Sequence, residues 1–191
     1  TGTVSFSMNR IVGDDDFTDT VGMSVERIQH FLDNQSGVLK TETFLVGTET
    51  QTAAQVIYNA AIANNISPKV LLTTIQKESS MVTRSSFNTA GYSASKQYYL
   101  DWAVFYGWCD SCSTGSNKGF VNQMNAAAGA FRRYLNNIAD PARGYTVSGW
   151  GPNITKSLTC ISSDASAPRN LCTSGSTIQF HPVNAAPAAL Y

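Results

Sequence analysis

The run from Ser67 to Glu78 constrains the fold more than any other part of the chain, because two residues mark where its helix begins. Ser67 is a type favoured at the N-cap, and Pro68 suits the first helical position, where its missing N–H group is not needed. This start fixes the phase of the helix. Leu71, Ile75 and Glu78 then fall on one face. The sequence therefore predicts a helix with a carboxylate on its apolar side.

Glu78 is the only glutamate after Glu49, and a carboxylate on an apolar helical face needs a physical reason. Removal from water favours the neutral form of a carboxylic acid, which can then donate a proton as a general acid. The competing interpretation is a structural carboxylate that accepts backbone N–H groups or pairs with Arg84. The local pattern leaves both interpretations open.

Length and composition favour one domain without a strong net charge. A chain of 191 residues can bury one substantial core, and no clear linker divides it. Charged residues make up only 14%, while Ser, Thr, Asn and Ala are abundant, as is common in secreted proteins. The 13 basic and 13 acidic residues balance, so we expect no nucleic acid partner. We expect a monomer.

The charges are distributed unevenly along the chain. Acidic residues dominate residues 1–50, and basic residues dominate the remainder. A mildly basic body suits an anionic polymer, although scattered surface charges explain the pattern equally well.

The chain has no sign of a membrane span. No apolar stretch approaches the ~20 residues that a transmembrane helix needs. No charged-then-apolar leader is present either, so we expect that Thr1 follows a removed signal peptide or a cloning boundary. The expected location is extracellular.

Four cysteines form two close pairs, Cys109 with Cys112 and Cys160 with Cys172. Both pairs lie in loop-like sequence, and neighbour pairing closes the shortest loops, so we expect two local disulfides, although three pairings are possible. A thioredoxin-type motif would need a helix after Cys112, where Ser, Thr and Gly follow instead. Redox chemistry is therefore disfavoured.

The predicted fold class is mainly α, of α+β character, in a single domain over residues 1–191. Residues 1–50 are expected to form an N-terminal arm and first helix, residues 51–140 a helical core, and residues 141–191 a β and loop appendix that contains a disulfide.

Hydrophobic periodicity and turn residues place the elements within these parts. The expected helices cover 24–34, 52–64, 67–80 and 118–138, with a helix or buried irregular wall at 96–106, a loop at 37–50, strands at 144–147 and 177–180, and a helical turn within 183–191.

Several kinds of chemistry are disfavoured by the motifs that are missing. His30 and His181 are isolated and make no metal-ligand set, and neither a phosphate loop nor a serine nucleophile elbow is matched. We therefore expect no metal and no cofactor. What remains is carboxylate chemistry with a large supply of aromatic rings and amides. Such surfaces bind sugars, although more than half of the rings are expected to be core.

A resemblance to known enzymes is carried by the run Asn-Asn-Ile-Ser-Pro-Lys-Val-Leu-Leu-Thr-Thr-Ile-Gln-Lys-Glu-Ser, which ends at Ser79. It resembles the catalytic-helix signature of soluble lytic transglycosylases and goose-type lysozymes, in which a helix ends in a Glu-Ser pair. The wider chain resembles secreted bacterial proteins with lysozyme-like domains, through residues 9–11, 23–32, 119–123 and 184–191. The resemblance implies a lysozyme-like helical domain. It also implies that Glu78 protonates the glycosidic oxygen between N-acetylmuramic acid and N-acetylglucosamine in peptidoglycan.

Substrate contacts are expected at Ser79, Tyr92, Trp108, Gln123 and Tyr145. Gln123 and Tyr145 occur in the order in which the resembled family places its positioning groups. The Gly-Leu-Met-Gln segment of the transglycosylases is absent, and the sequence around Tyr92 occupies its place without matching it.

A second carboxylate would decide the mechanism. An inverting hydrolase needs a base about 6.5 to 9.5 Å from its acid, whereas a lytic transglycosylase can use one glutamate and the muramyl 6-hydroxyl. Asp110 is the preferred candidate, because its flanking cysteines can hold a loop rigidly, and Asp101 is the alternative. Asp140 is expected at a helix end and Asp164 in the polar appendix.

The sequence thus predicts a peptidoglycan-cleaving glycosidase with Glu78 as general acid and base, either a muramidase or a lytic transglycosylase. Two alternatives stay open: a cell-wall carbohydrate-binding module without turnover, and a glycosidase for chitin-type polymers.

Overall fold

The computed structural model describes residues 7, 9–87, 95–108, 115–159 and 175–190. The chain forms two compact units. The central unit is Asp15–Arg133, and the terminal unit combines Thr1–Asp14 with Tyr134–Tyr191. The expected first helix therefore belongs to the same unit as the helical core, while the single domain stays a prediction.

Seven helices and four strands occur within the described residues. In chain order they are α1 (Asp14–Phe17), α2 (Val25–Asp33), β1 (Thr43–Val46), β2 (Glu49–Thr52), α3 (Ala53–Ala63), α4 (Pro68–Ser79), α5 (Lys96–Asp101), α6 (Phe120–Ala139), β3 (Lys156–Thr159), β4 (Thr177–Phe180) and α7 (Ala185–Leu190), with a 3-10 turn at Val38–Lys40. The α+β class is confirmed by these helices and two small antiparallel sheets.

The first long helices begin where their capping residues predict. The Ser24 hydroxyl accepts the Arg27 N–H group at 3.4 Å at the start of α2. At the start of α3, Thr52 and Gln55 form a reciprocal capping box, in which each side chain accepts the backbone N–H group of the other. These bonds satisfy N–H groups that lack a partner within the helix.

The loop expected over 37–50 is wrong, because most of it forms a β-hairpin. Strands β1 and β2 pair antiparallel, with Thr43 opposite Thr52 and Val46 opposite Glu49. Gly47 turns the chain between them with φ +62°, a conformation that glycine adopts without strain. Burial alternates along β1, as expected for a strand with one face on the core.

The core of the central unit lies between α2, α3, α4, the turns after α5 and the first half of α6. Its fully or almost fully buried large side chains include Ile28, Leu32, Leu39, Ile57, Leu71, Ile75, Met81 and Met124. All of them except Leu39 and Met81 lie on helices that the sequence predicts, and their burial on one side of each helix agrees with the predicted periodicity.

The terminal unit contains the second sheet. Strands β3 and β4 pair antiparallel from Lys156 opposite Phe180 to Thr159 opposite Thr177, which confirms the strand predicted at 177–180. The strand predicted at 144–147 is wrong. Thr146 donates its N–H group to the Trp150 carbonyl at 2.7 Å, closing a local loop instead of pairing with another strand.

The last helix, α7, confirms the expected helical turn near the C-terminus. Asp14 caps it, since one carboxylate oxygen accepts the Ala186 N–H group at 2.6 Å and the Asn184 side-chain amide at 2.7 Å. Within the described part of the chain, every helix is too short or too polar to cross a membrane.

Candidate functional site

Helix α4 presents Glu78 at its C-terminal end. Ser67 occupies the predicted N-cap position and Pro68 the first turn, although the Ser67 hydroxyl makes no capping bond. Leu71 and Ile75 are completely buried, whereas the Glu78 side chain, two turns beyond Leu71, is 34% exposed. The predicted phase is right, but the buried face ends before Glu78. The expectation of a carboxylate removed from water is therefore wrong.

The ion partner of Glu78 is its neighbour in sequence. Lys77 Nζ lies 3.0 Å from Glu78 Oε1, and the Lys77 side chain is 73% exposed. A pair of this kind contributes little to stability, because water solvates both charges and the long lysine side chain loses entropy. The carboxylate is thus held on a rigid helix but is not tied into the core.

Arg84, the partner considered in the structural interpretation of Glu78, is engaged elsewhere. Its Nε donates to the Ser79 carbonyl at 3.1 Å. Its guanidinium lies over the Tyr99 ring, 4.3 Å from the centroid. Arg84 therefore stabilises the end of α4 through the main chain and an aromatic face.

Ser79 faces the interior. It is 1% exposed, and its hydroxyl donates to the Ala103 carbonyl at 2.7 Å while lying 3.0 Å from the Ile75 carbonyl. These contacts join the end of α4 to the turn that follows α5. A direct contact of Ser79 with substrate stays a prediction.

Gln123, on α6, also forms hydrogen bonds with the turn that follows α5. Its Oε1 accepts the N–H groups of Val104 at 3.3 Å and Tyr106 at 3.1 Å, and its Nε2 donates to the carbonyls of Tyr106 and Asn117, both at 2.8 Å. A glutamine side chain has two donors and two acceptor sites, so the hydrogen-bonding capacity of Gln123 is used within the protein. Gln123 is a positioning residue for segment 102–108.

Segment 102–108, which Ser79 and Gln123 hold by hydrogen bonds, also carries several aromatic rings. Residues 96–106 were predicted to form either a helix or a buried irregular wall, and the structure contains both. Helix α5 comes first, and the tight turns after it bury Trp102, Ala103 and Val104. Trp108 packs edge-on against Phe105, with ring centroids 5.6 Å apart, and is only partly buried. Its contact with a sugar stays a prediction.

A backbone bridge fixes the loop after Glu78, and no sequence motif predicts it. Gly37 N–H donates to Val82 O at 3.1 Å and Val38 N–H to Arg84 O at 3.2 Å. The approach is so close that a Cβ atom on Gly37 would lie 2.1 Å from Val82 O. Gly37 is predicted only as the first residue of the loop over 37–50. Its one signal for this contact is the missing side chain, which permits the close approach.

Asp101, the alternative second carboxylate, is part of an ion pair. Its side chain is 15% exposed, Oδ2 lies 3.3 Å from Lys118 Nζ, and Oδ1 accepts the Gln97 amide at 3.0 Å. Both oxygens thus have partners. Its action as a catalytic base stays a prediction.

The roles of the other predicted site residues stay predictions. Tyr145 lies in the terminal unit and is 46% exposed. Tyr92, Asp110, Cys109, Cys112, Cys160 and Cys172 lie outside the described residues. Among the residues that are described, no cluster of three or more acidic, histidine or cysteine side chains is arranged for a metal ion.

The fold and this geometry define an α+β protein with an accessible glutamate at the end of a buried, braced helix. Residues 10–99 match the family model of the LasA N-terminal domain, so the chain is similar to that domain over α1 to α4 and most of α5. The match includes Glu78 and Ser79 and ends before Asp101 and Gln123. No curated protein and no solved structure matches the chain. The lysozyme-like fold therefore stays a prediction.

Proposed function

We propose that this protein is secreted, acts on the bacterial cell wall, and cleaves the β-1,4 bond between N-acetylmuramic acid and N-acetylglucosamine with Glu78 as general acid and base. The observation that carries the proposal is the placement of Glu78. A carboxylate that is fixed to a packed helix and accessible to a polymer supports this role, because a general acid must be able to reach the glycosidic oxygen.

Hydrogen bonds of the residues that follow Glu78 hold the end of its helix in place. Ser79 is bonded to the Ala103 carbonyl and Arg84 to the Ser79 carbonyl, so the end of α4 is held in register with the turn after α5. A catalytic group needs such support, because small displacements from the reacting atoms reduce the rate strongly. Lys77 is exposed and can move away when a ligand approaches Glu78.

The match to the LasA N-terminal domain supports the proposed location and target of the protein, but not the proposed reaction. It covers the α2 to α4 region and favours a secreted, cell-wall-directed protein. The aromatic and amide side chains of segment 95–108 are of the types that bind sugars.

Glu78→Gln is the decisive variant, because it keeps the shape of the side chain and removes its ionisable proton. Purified peptidoglycan is incubated with the parent and the variant, and released fragments are analysed by mass spectrometry. We expect the variant to cleave at least 100-fold more slowly than the parent, in line with the usual contribution of general acid–base catalysis. Glu49→Gln, an exposed glutamate on β2, serves as the matched control and should cleave like the parent.

The products also assign the reaction. Reducing ends show hydrolysis, and 1,6-anhydro ends show transglycosylation. Chitin oligomers assayed in parallel test the chitin-type alternative. If Glu78→Gln releases fragments as fast as the parent, the assignment of Glu78 is wrong.

A wall-binding module without turnover is the second candidate. The observation that favours it is the exposure of Glu78, whose side chain is 34% exposed at the end of α4 and is not enclosed in an apolar pocket. Retention of the parent protein on sedimented peptidoglycan, without any released fragment, would select this function.

A further inference from the structure

A cavity of about 440 Å³ opens between the β-hairpin, α5 and the start of α6. We call it the hairpin cavity. Its volume falls within the range of about 300 to 1,000 Å³ that is typical of small-molecule sites. Its lining combines apolar side chains from β1 with polar groups from the two helices.

The apolar wall includes a strongly exposed leucine. Leu45 is 72% exposed on β1, at the rim of the cavity. Beside it, Phe44 stacks on Phe120 with ring centroids 4.4 Å apart, which makes the wall rigid. Such a surface fits the C–H face of a pyranose or a methyl group.

The polar wall is balanced in charge. Asp101 Oδ2 lies 3.3 Å from Lys118 Nζ, and Oδ1 accepts from Gln97. Gln97 and Asn122 add two exposed amides that line the cavity. Because the carboxylate already has a cationic partner, the cavity favours a neutral ligand with hydroxyl and amide groups over an ion.

We propose that the hairpin cavity binds an N-acetylated hexosamine unit of an amino-sugar polymer. The inference rests on the proposed function for the identity of the polymer. Asp101 is only two residues from Ala103, whose carbonyl accepts the Ser79 hydroxyl, so about 7 Å of extended chain at most separates them. The cavity wall and the end of the Glu78 helix are therefore braced by one segment.

A second cavity, of about 410 Å³, has different chemistry. It lies beside α2 and α4, where Phe31, Leu72 and Val82 contribute to a mainly apolar lining that contains no carboxylate. It lacks the combination of a carboxylate and amide groups that lines the hairpin cavity, and nothing in the structure indicates which ligand would fill it.

The test measures binding of the N-acetylglucosamine tetramer by calorimetry, with the full chain carrying Glu78→Gln so that turnover does not interfere. We expect saturable binding that Leu45→Ser and Asn122→Ala each weaken by about threefold to tenfold, the size of one lost contact. The glucose tetramer, which lacks the acetamido group, should bind at least tenfold more weakly. Val21→Ser, at an exposed apolar position, and Asn125→Ala, on the same helix as Asn122, are the matched controls.

The outcomes separate this proposal from the glycosidase. If the tetramer does not bind, or if Leu45→Ser and Asn122→Ala bind it as tightly as their controls, the hairpin cavity is not a sugar site, whatever Glu78→Gln does to cleavage. If both variants weaken binding while the parent cleaves no wall, the cavity is confirmed and the glycosidase is wrong.

Discussion

The hydroxyl of Ser79 donates a 2.7 Å hydrogen bond to the main-chain carbonyl of Ala103, joining the last residue of α4 to the turn after α5. Ser79 is 1% exposed and Ala103 is completely buried. The carbonyl therefore depends on this donor rather than on water. Since Glu78 precedes Ser79 directly, the bond also positions the candidate catalytic residue.

Ser79→Ala is expected to lower the free energy of unfolding by about 1 to 3 kcal/mol, because a buried carbonyl loses its donor. Urea denaturation followed by circular dichroism measures the change. Ser86→Ala, at an exposed position, is the matched control and should change stability by less than about 0.5 kcal/mol. Equal stabilities of the two variants would show that the Ser79 bond is not needed.

Gln123→Leu removes all four hydrogen bonds of the side chain while keeping most of its volume. The N–H groups of Val104 and Tyr106 lose their acceptor, and we expect a loss of about 2 to 4 kcal/mol. The fluorescence of the tryptophans in segment 102–108 should change as the turns loosen. Asn125→Leu replaces an exposed amide on the same helix and serves as the control. A Gln123→Leu protein as stable as this control would contradict the positioning role.

Local signals predicted the helices well. The Ser24 cap, and Pro68 at the start of α4, act within a few residues, so their effect is readable from sequence. Hydrophobic periodicity is also a local signal, and α6 confirms the helix that it predicts over 118–138. The α+β class follows from these elements.

Features that depend on distant parts of the chain were not predictable. The bridge between Gly37 and Val82 joins residues far apart in sequence, and neither local pattern indicates it. The exposure of Glu78 has the same origin. Periodicity gives the face on which a side chain lies, but the extent of the core along that face depends on which elements pack against it.

Gly37→Ala tests the backbone bridge. The new methyl group would lie 2.1 Å from Val82 O and 2.4 Å from Met81 O, so the main chain on both sides must separate. We expect a loss of about 2 kcal/mol or more from overpacking and broken hydrogen bonds. Equilibrium urea unfolding provides the measurement, and a loss below about 0.5 kcal/mol would show that the bridge yields freely.

Gly129→Ala should have the opposite sign. Gly129 lies within α6, and the nearest atom to a Cβ there is Asn64 Oδ1 at 3.5 Å, an ordinary van der Waals distance. Alanine restricts the unfolded chain more than glycine does, so we expect a gain of about 0.5 to 1 kcal/mol. A rise in the midpoint of thermal unfolding checks this gain, and a lower midpoint would mean that the helix is packed more tightly at this point than the distance indicates.

Asp19 is expected to make stability depend on pH. The Gly22 N–H group, which donates to its carboxylate at 2.8 Å, is the main cause of a pKa lowered from the ordinary value of 3.8. Partial burial opposes this shift, and the Val21 N–H group and Lys69 add to it. A lowered folded pKa gives stabilisation that is complete above the unfolded value and is lost as the pH falls through the folded value. We therefore expect Asp19→Asn, which cannot ionise, to show a smaller fall in unfolding free energy between pH 6 and pH 3 than the parent. Urea unfolding at both pH values measures it, with the circular dichroism spectrum at pH 6 as the check of folding, and equal falls in the two proteins would contradict the role of Asp19.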